Sequence, residues 1–568
     1  MDASFVVFLL ILTFMLFVIK RWIYNPAKAY LAERGFDLSP KRAVIIGFAL
    51  IVFVIPGIFW AIEIGSVISV IALIVISGLL VWRFFPRDKN YNDEHRRGAL
   101  LVDKSVVIKQ IAKRKDVGEI EFGGVPYPAS LEPYHLLLAG GTGSGKSVAI
   151  IGMLDAIRDR KQNNEKCIVV DSGGAFYSRY SNAVDSTLLN QFDSRSTDWS
   201  PFAEMRGPWD ADALSLSIIP DAEGADGEWA TYARNILSAL LLRIYESGHA
   251  TNERLFYFSC VATVEELRPL CAGLPAGAMM AEGNEKMFGS IRSILSSAIQ
   301  PFSYLNQNAG SGSFSIRDFV ENDKSGWLFL TYRDDMLASQ KKIIATQIGI
   351  AARATLSQNP SAARRTWLVI DECASLGRID SLDLFLTKAR KCGGCAVIGL
   401  QSVSQLKQIY GRDGADVMLA NLSSWLVLRV PDQATSEYMS RYLGDSEIKR
   451  TNESTSENGD STSEQVTNTR VVMASTLQSL KTRAAYLNLA GEYPTCEIFL
   501  DLPPDVRQTA ESFTQRDMRG LRTIPAAPAL GVAADTSFID SLLGNGSAIE
   551  DVESKPDPFK PKPGAFDI

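Results

Sequence analysis

A glycine-rich octapeptide, Gly140–Ser147 (GGTGSGKS), lies between an apolar run and a stretch of helical periodicity. It fits G-x-x-x-x-G-K-[ST], with Gly140 and Gly145 fixed and Gly141, Thr142, Gly143 and Ser144 between them. Glycines let successive backbone N–H groups converge on phosphate oxygens, and the positive end of a following helix adds to the attraction. Lys146 is then placed to reach the β- and γ-phosphates, and the Ser147 hydroxyl to hold Mg²⁺. The context is the required one. YHLLLA before the loop reads as a buried strand, and Val148–Asp159 after it as a helix with Ile150, Leu154 and Ile157 apolar. A mere glycine-rich turn has no need of strand, loop and helix in this order. The segment implies a site for ATP and Mg²⁺ in an α/β fold.

Downstream, strands and helices alternate. Cys167–Asp171 (CIVVD), Gly326–Tyr332, Thr366–Ile370, Ala396–Leu400 and Trp425–Arg429 read as buried strands. Helices at Ala175–Tyr180, Asp335–Gln358, 380–391, Gln405–Tyr410 and Ala415–Leu422 are interleaved with them, and Ala484–Leu489 and Cys496–Leu500 are the last strands. This predicts a parallel-rich sheet covered on both faces. Asp371-Glu372 ends one of its strands. An Asp there holds Mg²⁺ through water, and a Glu directly after it orients and deprotonates the attacking water. Acidic pairs at strand ends are common, so the phosphate loop in the same sheet gives this one its meaning. Gln401 leaves the end of the next strand and is placed to sense the γ-phosphate. Arg390-Lys391 closes the helix that follows the acidic pair. Cations suit a helix C-terminus in any case; in a ring of subunits, Arg390 would serve as an arginine finger for the neighbour's ATP.

The N-terminus is built for lipid. Ala3–Ile19 has only Ser4 and Thr13 as polar residues, and Ala43–Trp82 has Glu63 as its sole charge. A single helix over that second run would measure about 60 Å, twice the ~30 Å hydrocarbon core. Pro56-Gly57 and Glu63 lie near its middle, which predicts spans at about 3–19, 43–60 and 64–82. Lys20, Arg21, Lys28, Arg34, Lys41 and Arg42 lie between the first two, and Arg83, Arg87, Lys89, Arg96 and Arg97 follow the third. The positive-inside bias then predicts residues 20–42 and everything after 83 in the cytoplasm, with the N-terminus outside.

Composition sets further bounds. The net charge of −6 excludes a global basic signature for nucleic acid, so any such partner meets a local surface. Seven scattered cysteines suggest a reducing compartment, and Cys392-Gly-Gly-Cys395 lacks the second pair that structural zinc requires. The resulting organisation is an anchor over 1–97, a nucleotide-binding domain over 98–207 and 311–504, an all-helical insertion over 208–310, and a disordered tail over 505–568. The lead-in at 98–134 has hairpin character at Gly118–Pro128. The helical insertion is not basic, and Thr451–Thr469, with Val466 its single apolar residue, reads as a disordered loop.

GGTGSGKS, WLVIDECASLGRIDSL, LTKARKCGGCAVIGLQSVSQLKQIYG and YLNLAGEYP together resemble the type IV coupling proteins of conjugation, of the TraD/TrwB kind, over about 120–502. That resemblance implies a RecA-like motor domain, an all-helical domain facing the cytoplasm, and a membrane-anchored homohexamer. It further implies a DNA-dependent ATPase that passes relaxase-bound DNA, single-stranded or double-stranded, to a type IV secretion channel. Lys146, Ser147, Asp371, Glu372, Arg390 and Gln401 take the roles given above. Members often have two spans around a periplasmic loop, whereas three are counted here. Two rivals stand beside this reading. One is a membrane DNA translocase of the FtsK/HerA class, although 503–568 is too polar and Pro-rich for the winged helix that ends such motors. The other is a docking platform holding ATP as a structural ligand, for which Glu372 has no use.

Overall fold

A computed structural model of the 568-residue chain describes residues 93–160, 165–182, 185–221, 225–281, 283–456, 459–504 and 508–519. The three predicted spans fall outside these residues, and no described helix is long and apolar enough to cross a membrane. Two compact units divide the chain: a smaller one of 1–94 with 449–465, and a larger one of 95–448 with 466–568. The site lies in the larger unit.

The chain runs through β1 (Asp93–Gly98), β2 (Leu101–Val102), α1 (Lys104–Arg114), β3 (Glu121–Phe122) and β4 (Val125–Pro126). A 3₁₀ turn at Ala129–Tyr134 leads into β5 (Leu136–Ala139), α2 (Lys146–Asp159), β6 (Glu165–Ser172), α3 (Ala175–Tyr180) and β7 (Ser186–Leu189). A helical block follows: α4 (Trp209–Ile218), α5 (Ala225–Glu246), α6 (Asn252–Phe256), α7 (Val264–Cys271) and α8 (Glu285–Ile299). Then come α9 (Ile316–Glu321), β8 (Gly326–Tyr332), α10 (Leu337–Leu356), β9 (Arg365–Ile370), α11 (Leu382–Lys388), β10 (Gly394–Leu400) and α12 (Val403–Asn421). The last elements are β11 (Ser424–Val427), α13 (Gln433–Leu443), β12 (Asp445–Ser456), β13 (Gly459–Arg470), α14 (Ala474–Ser479), β14 (Ala484–Asn488) and β15 (Thr495–Phe499).

Ten strands form one sheet in the order β2-β15-β14-β11-β5-β10-β9-β6-β8-β7. Only the two pairings that flank β14 are antiparallel. The central strands read as unbroken apolar runs because each buries both faces, whereas β2 and β15 keep exposed residues. In β5, Leu137 and Ala139 join one hydrophobic cluster while Leu136 and Leu138 join the other. In β10, Ala396 and Ile398 face the first, and Cys395 and Val397 the second. Against the second face lies α2, whose Ile150, Leu154 and Ile157 are no more than 4 % exposed. Full burial of such a side chain contributes roughly 1.5–3 kcal/mol, which fixes the helix to the sheet. The cluster on the first face extends into α4, α5 and α10 through residues such as Leu214, Leu240 and Ile348.

Three expectations need correction. Within Thr451–Thr469, residues 451–456 and 459–469 are extended chain in β12 and β13, which join β1 in a three-stranded sheet, and not a disordered loop. The β-branched threonines at 451, 455, 462, 467 and 469 favour extended backbone. The lead-in holds more than a hairpin, since α1 precedes it and β2 pairs in parallel with β15 at the sheet edge. The tail does not become structureless at 505. Residues 509–516 are bound to the 178–195 region: Ser178 Oγ donates to the Ala510 carbonyl at 2.7 Å, and Arg195 Nη1 to that of Glu511 at 2.8 Å. Thr514 N donates to Asp193 Oδ2 at 3.0 Å, and Asp193 forms a bridge with Gln515. Residues 520–568 lie outside the described chain. The two helices expected at 405–410 and 415–422 are the halves of α12, broken at Gly411 (φ 76°).

Candidate nucleotide site

The phosphate loop hangs from the carboxyl ends of β5, β10 and β11. Gly140 N donates to the Leu400 carbonyl at 3.0 Å and Gly141 N to that of Arg429 at 2.9 Å. Arg483 N donates to the Ser144 carbonyl at 2.8 Å, which ties the middle of the loop to the approach to β14. Gly145 turns the chain into α2 with φ 118° and ψ 11°, a conformation closed to residues with a Cβ. No acidic residue occupies the first turn of α2, so its free N–H groups and positive dipole end face the loop unopposed.

Two strands away from β5, β9 delivers Asp371 and Glu372 to the same edge. Glu372 Oε2 lies 3.2 Å from Lys146 Nζ. Asp371 Oδ1 and Glu372 Oε1 are buried without a hydrogen-bond partner. Burial pushes both carboxyls above their ordinary range, and the Lys146 charge pulls each back toward ionisation. Between β5 and β9 stands β10, from whose end Gln401 reaches the loop: Thr142 Oγ1 donates to its Oε1 at 3.4 Å. The sheet order therefore brings together Gly140–Ser147, Asp371, Glu372 and Gln401. Orphaned carboxylate oxygens and an exposed Ser147 hydroxyl are the kind of hard oxygen donor that Mg²⁺ takes. Ser147 and Asp371 would fit that ion.

Arg390 is not among them. It lies in the 3₁₀ turn Ala389–Cys392, before the first residue of β10, whereas Gln401 follows the last. A seven-residue strand separates the two, about 20 Å at the rise of extended chain. Arg390 is exposed, with its Cζ 3.5 Å from the centre of the Tyr134 ring. It opens on a cavity of about 900 Å³ lined also by Ser361, Arg365, Lys388 and Lys391. Its guanidinium cannot reach the phosphate loop of the same chain.

One carboxylate at the site escaped the sequence reading. Asp171 is the penultimate residue of β6, the strand next to β9, and is fully buried. Its Oδ2 accepts from Tyr177 N at 2.8 Å and so caps α3, while Oδ1 has no partner. Burial, with the neighbouring Asp371 charge adding to it, pushes this carboxyl up to about 7. The signal was present, since CIVVD ends an apolar run on an acid as WLVIDE does.

Comparison with known proteins follows the same lines. Residues 119–501 match the family model described as the type IV secretion-system coupling protein DNA-binding domain. The coupling protein TraD of Escherichia coli K12 is 27 % identical over 472 residues, covering 81 % of this chain and 65 % of TraD. The conjugal transfer protein TraG of Rhizobium radiobacter is 25 % identical over 277 residues, covering 44 % of this chain and 42 % of TraG. The chain thus spans less than two thirds of the curated relatives' length. Among solved structures, the unbound bacterial conjugative coupling protein TrwBΔN70 superposes with a TM-score of 0.68 at 31 % identity, covering 74 % of this chain and 97 % of that one. TrwB in complex with ADP and Mg²⁺ gives 0.66 at the same identity and the same coverage of both chains. The α/β architecture with its mostly parallel sheet is the RecA-type fold of TrwB.

Proposed function

This chain belongs to the type IV secretion-system coupling proteins, and from that premise we propose that it is a membrane-anchored, DNA-dependent ATPase. In this reading it works as a homohexamer at the bacterial inner membrane and hands a relaxase–DNA complex to a type IV secretion channel. The observation that carries the reading is the Lys146–Glu372 pair at the mouth of a complete phosphate loop. TrwB has been solved with ADPNP and with ADP and Mg²⁺, and the residues here offer the same ligands a site.

The residues act as follows. Loop N–H groups and Lys146 bind the β- and γ-phosphates. Ser147 and Asp371 would hold Mg²⁺, which would supply positive charge to offset that of the phosphates. Glu372 takes the proton of the attacking water as its oxygen bonds to Pγ and the bond from Pγ to the bridging oxygen breaks. Gln401, linked to Thr142, reads the γ-phosphate. Arg390 supplies positive charge to the site of the next subunit, because it is about a strand's length from its own. A docking platform would gain nothing from a buried carboxylate aimed at the phosphates. Steady-state ATP hydrolysis with and without single-stranded DNA tests the reading. Turnover stimulated by DNA is expected, and absence of hydrolysis in an assembled, nucleotide-bound protein would refute it.

A further inference from the structure

We propose that Tyr134 is a positioning residue for Arg390, fixing the guanidinium that reaches the neighbour's nucleotide. The proposal rests on Arg390 acting across the subunit boundary. Arg390 Cζ sits 3.5 Å from the Tyr134 ring centre, and its Nη2 donates to the Tyr134 hydroxyl. Among the described residues, no carboxylate forms an ion pair with Arg390. That combination is informative. An arginine held by an acid is oriented but neutralised, whereas an aromatic face orients the planar fork and leaves its charge available. A finger must present full positive charge to the phosphoryl group as negative charge builds up there.

Tyr134 is itself rigidly mounted. It ends the 3₁₀ turn Ala129–Tyr134, and its carbonyl accepts from Ser423 N at 3.0 Å. Two residues earlier, Glu132 is buried and clamped by Arg160 and by Arg365 Nε at 2.7 Å. Arg160 is the C-terminal cap of α2, whose first residue is Lys146, and Arg365 lines the cavity onto which Arg390 opens. The platform is thus bolted to the helix behind the phosphate loop and to the sheet. A side chain as long as arginine gains precision from such a surface, and the nearby Lys388 and Lys391, without one, do not have it.

The test uses the full chain with three single variants, Tyr134→Leu, Tyr134→Phe and Arg390→Ala. Tyr134→Leu keeps the bulk and loses the aromatic face. It should lower kcat by about 10- to 100-fold, the scale of a misplaced catalytic group, with KM for ATP and the melting temperature unchanged. Tyr134→Phe keeps the face and should stay within about threefold of wild type. Tyr134→Leu combined with Arg390→Ala should be no worse than Arg390→Ala alone. Mixing Tyr134→Leu with Lys146→Ala subunits should restore hydrolysis, since some interfaces then pair an intact loop with a positioned finger. Normal turnover in Tyr134→Leu beside an inactive Arg390→Ala overturns the proposal and leaves the finger standing. Normal turnover in Arg390→Ala overturns the finger itself. A raised KM, or no recovery in mixed rings, makes Tyr134 a structural residue of its own subunit and equally refutes the proposal.

Discussion

Lys146 Nζ and Glu372 Oε2 lie 3.2 Å apart, the lysine 8 % and the glutamate 16 % exposed. In the proposed site, the ammonium that pairs with this carboxylate is also the group that would engage a γ-phosphate. Carboxylate and phosphate would then compete for one cation, and a phosphate that wins would leave Glu372 free to accept a proton from water. The pair joins the first residue of α2 to the end of β9, so nucleotide bound there would act on a helix and a strand together.

The two halves of the pair should separate in mutants. Lys146→Ala removes the phosphate ligand and leaves a buried carboxylate unpaired, so nucleotide affinity falls by about tenfold or more. Glu372→Gln removes the base and the rival for Lys146 together. It should bind ATP at least as tightly as wild type, yet hydrolyse it about 100-fold or more slowly. Fluorescent-nucleotide titration beside a phosphate-release assay reads both quantities. A Glu372→Gln protein that turns over normally removes Glu372 from the chemistry.

Arg390 should complement in trans. Arg390→Ala is expected to be inactive alone while binding nucleotide normally, because nothing in its own subunit places the side chain at the phosphates. Mixed with Lys146→Ala, itself inactive, it should recover part of the wild-type rate, and activity per subunit should rise steeply with protein concentration. Full activity of Arg390→Ala would leave the residue as a helix-end cation.

The strand–loop–helix at Gly140–Ser147 was legible because apolar run, glycine spacing and helical period coincide within some two dozen residues. Asp371-Glu372 was legible for a similar local reason, an acidic pair closing a buried run. Asp171 closes a run in the same way, yet its meaning comes from lying beside Asp371, and the adjacency of β6 and β9 is not written in the linear order. Tyr134 shows the same limit, since its partner is 256 positions away. The polar arms of β12 and β13 failed for another reason. Low apolar content argues against a buried strand, but not against every strand rich in β-branched residues.

Membrane topology can be read by labelling. From the Lys and Arg distribution we expect the N-terminus outside and positions 30 and 100 inside. A membrane-impermeant thiol reagent added from the periplasmic side should modify a cysteine at position 2 and spare one at position 30. Modification at 30 with protection at 2 would reverse the assignment and favour two spans.

His135 predicts an acid-sensitive fold. The residue is buried, with φ 64°, and its Nδ1 accepts from Ala396 N at 3.0 Å, joining β5 to β10. Burial holds the imidazole down to about 4, against the pull of the Leu386 carbonyl. The unfolded chain binds a proton near pH 6.5 that the fold refuses, so this contribution is intact above about pH 6.5 and is lost as pH falls toward 4. The loss amounts to roughly 2 kcal/mol by pH 5. His135→Asn keeps an acceptor for Ala396 N in a residue that tolerates the left-handed region. Its melting temperature should start lower but fall less between pH 7 and pH 5 than that of wild type. Parallel curves would remove His135 as the source of the sensitivity.

The strap at 508–516 should be releasable by one methyl group. Gly174 sits at the N-terminus of α3 with φ 73°, and a Cβ built there would meet the Ser512 carbonyl oxygen at 2.2 Å. No side chain fits between the two backbones. Gly174→Ala therefore meets a steric clash and a disfavoured backbone at once, and the strap is the element free to give way, since α3 is capped by buried Asp171 and packed through Phe176 and Tyr180. Arg516 and Arg519 lie at the distal end of the strap, Arg516 with its backbone N–H held by the Phe192 carbonyl at 2.8 Å. Brief trypsin digestion should cut at these arginines several-fold faster in Gly174→Ala than in wild type, because cleavage follows the population of the open form. Phe513→Ala removes the ring that lies 5.1 Å from the Arg333 guanidinium and leaves Gly174 untouched. It should produce the same cuts at an intermediate rate, as loss of one contact without backbone strain requires. Equal cleavage in all three proteins would mean that the strap is not held by these contacts, and that α3 yields in its place.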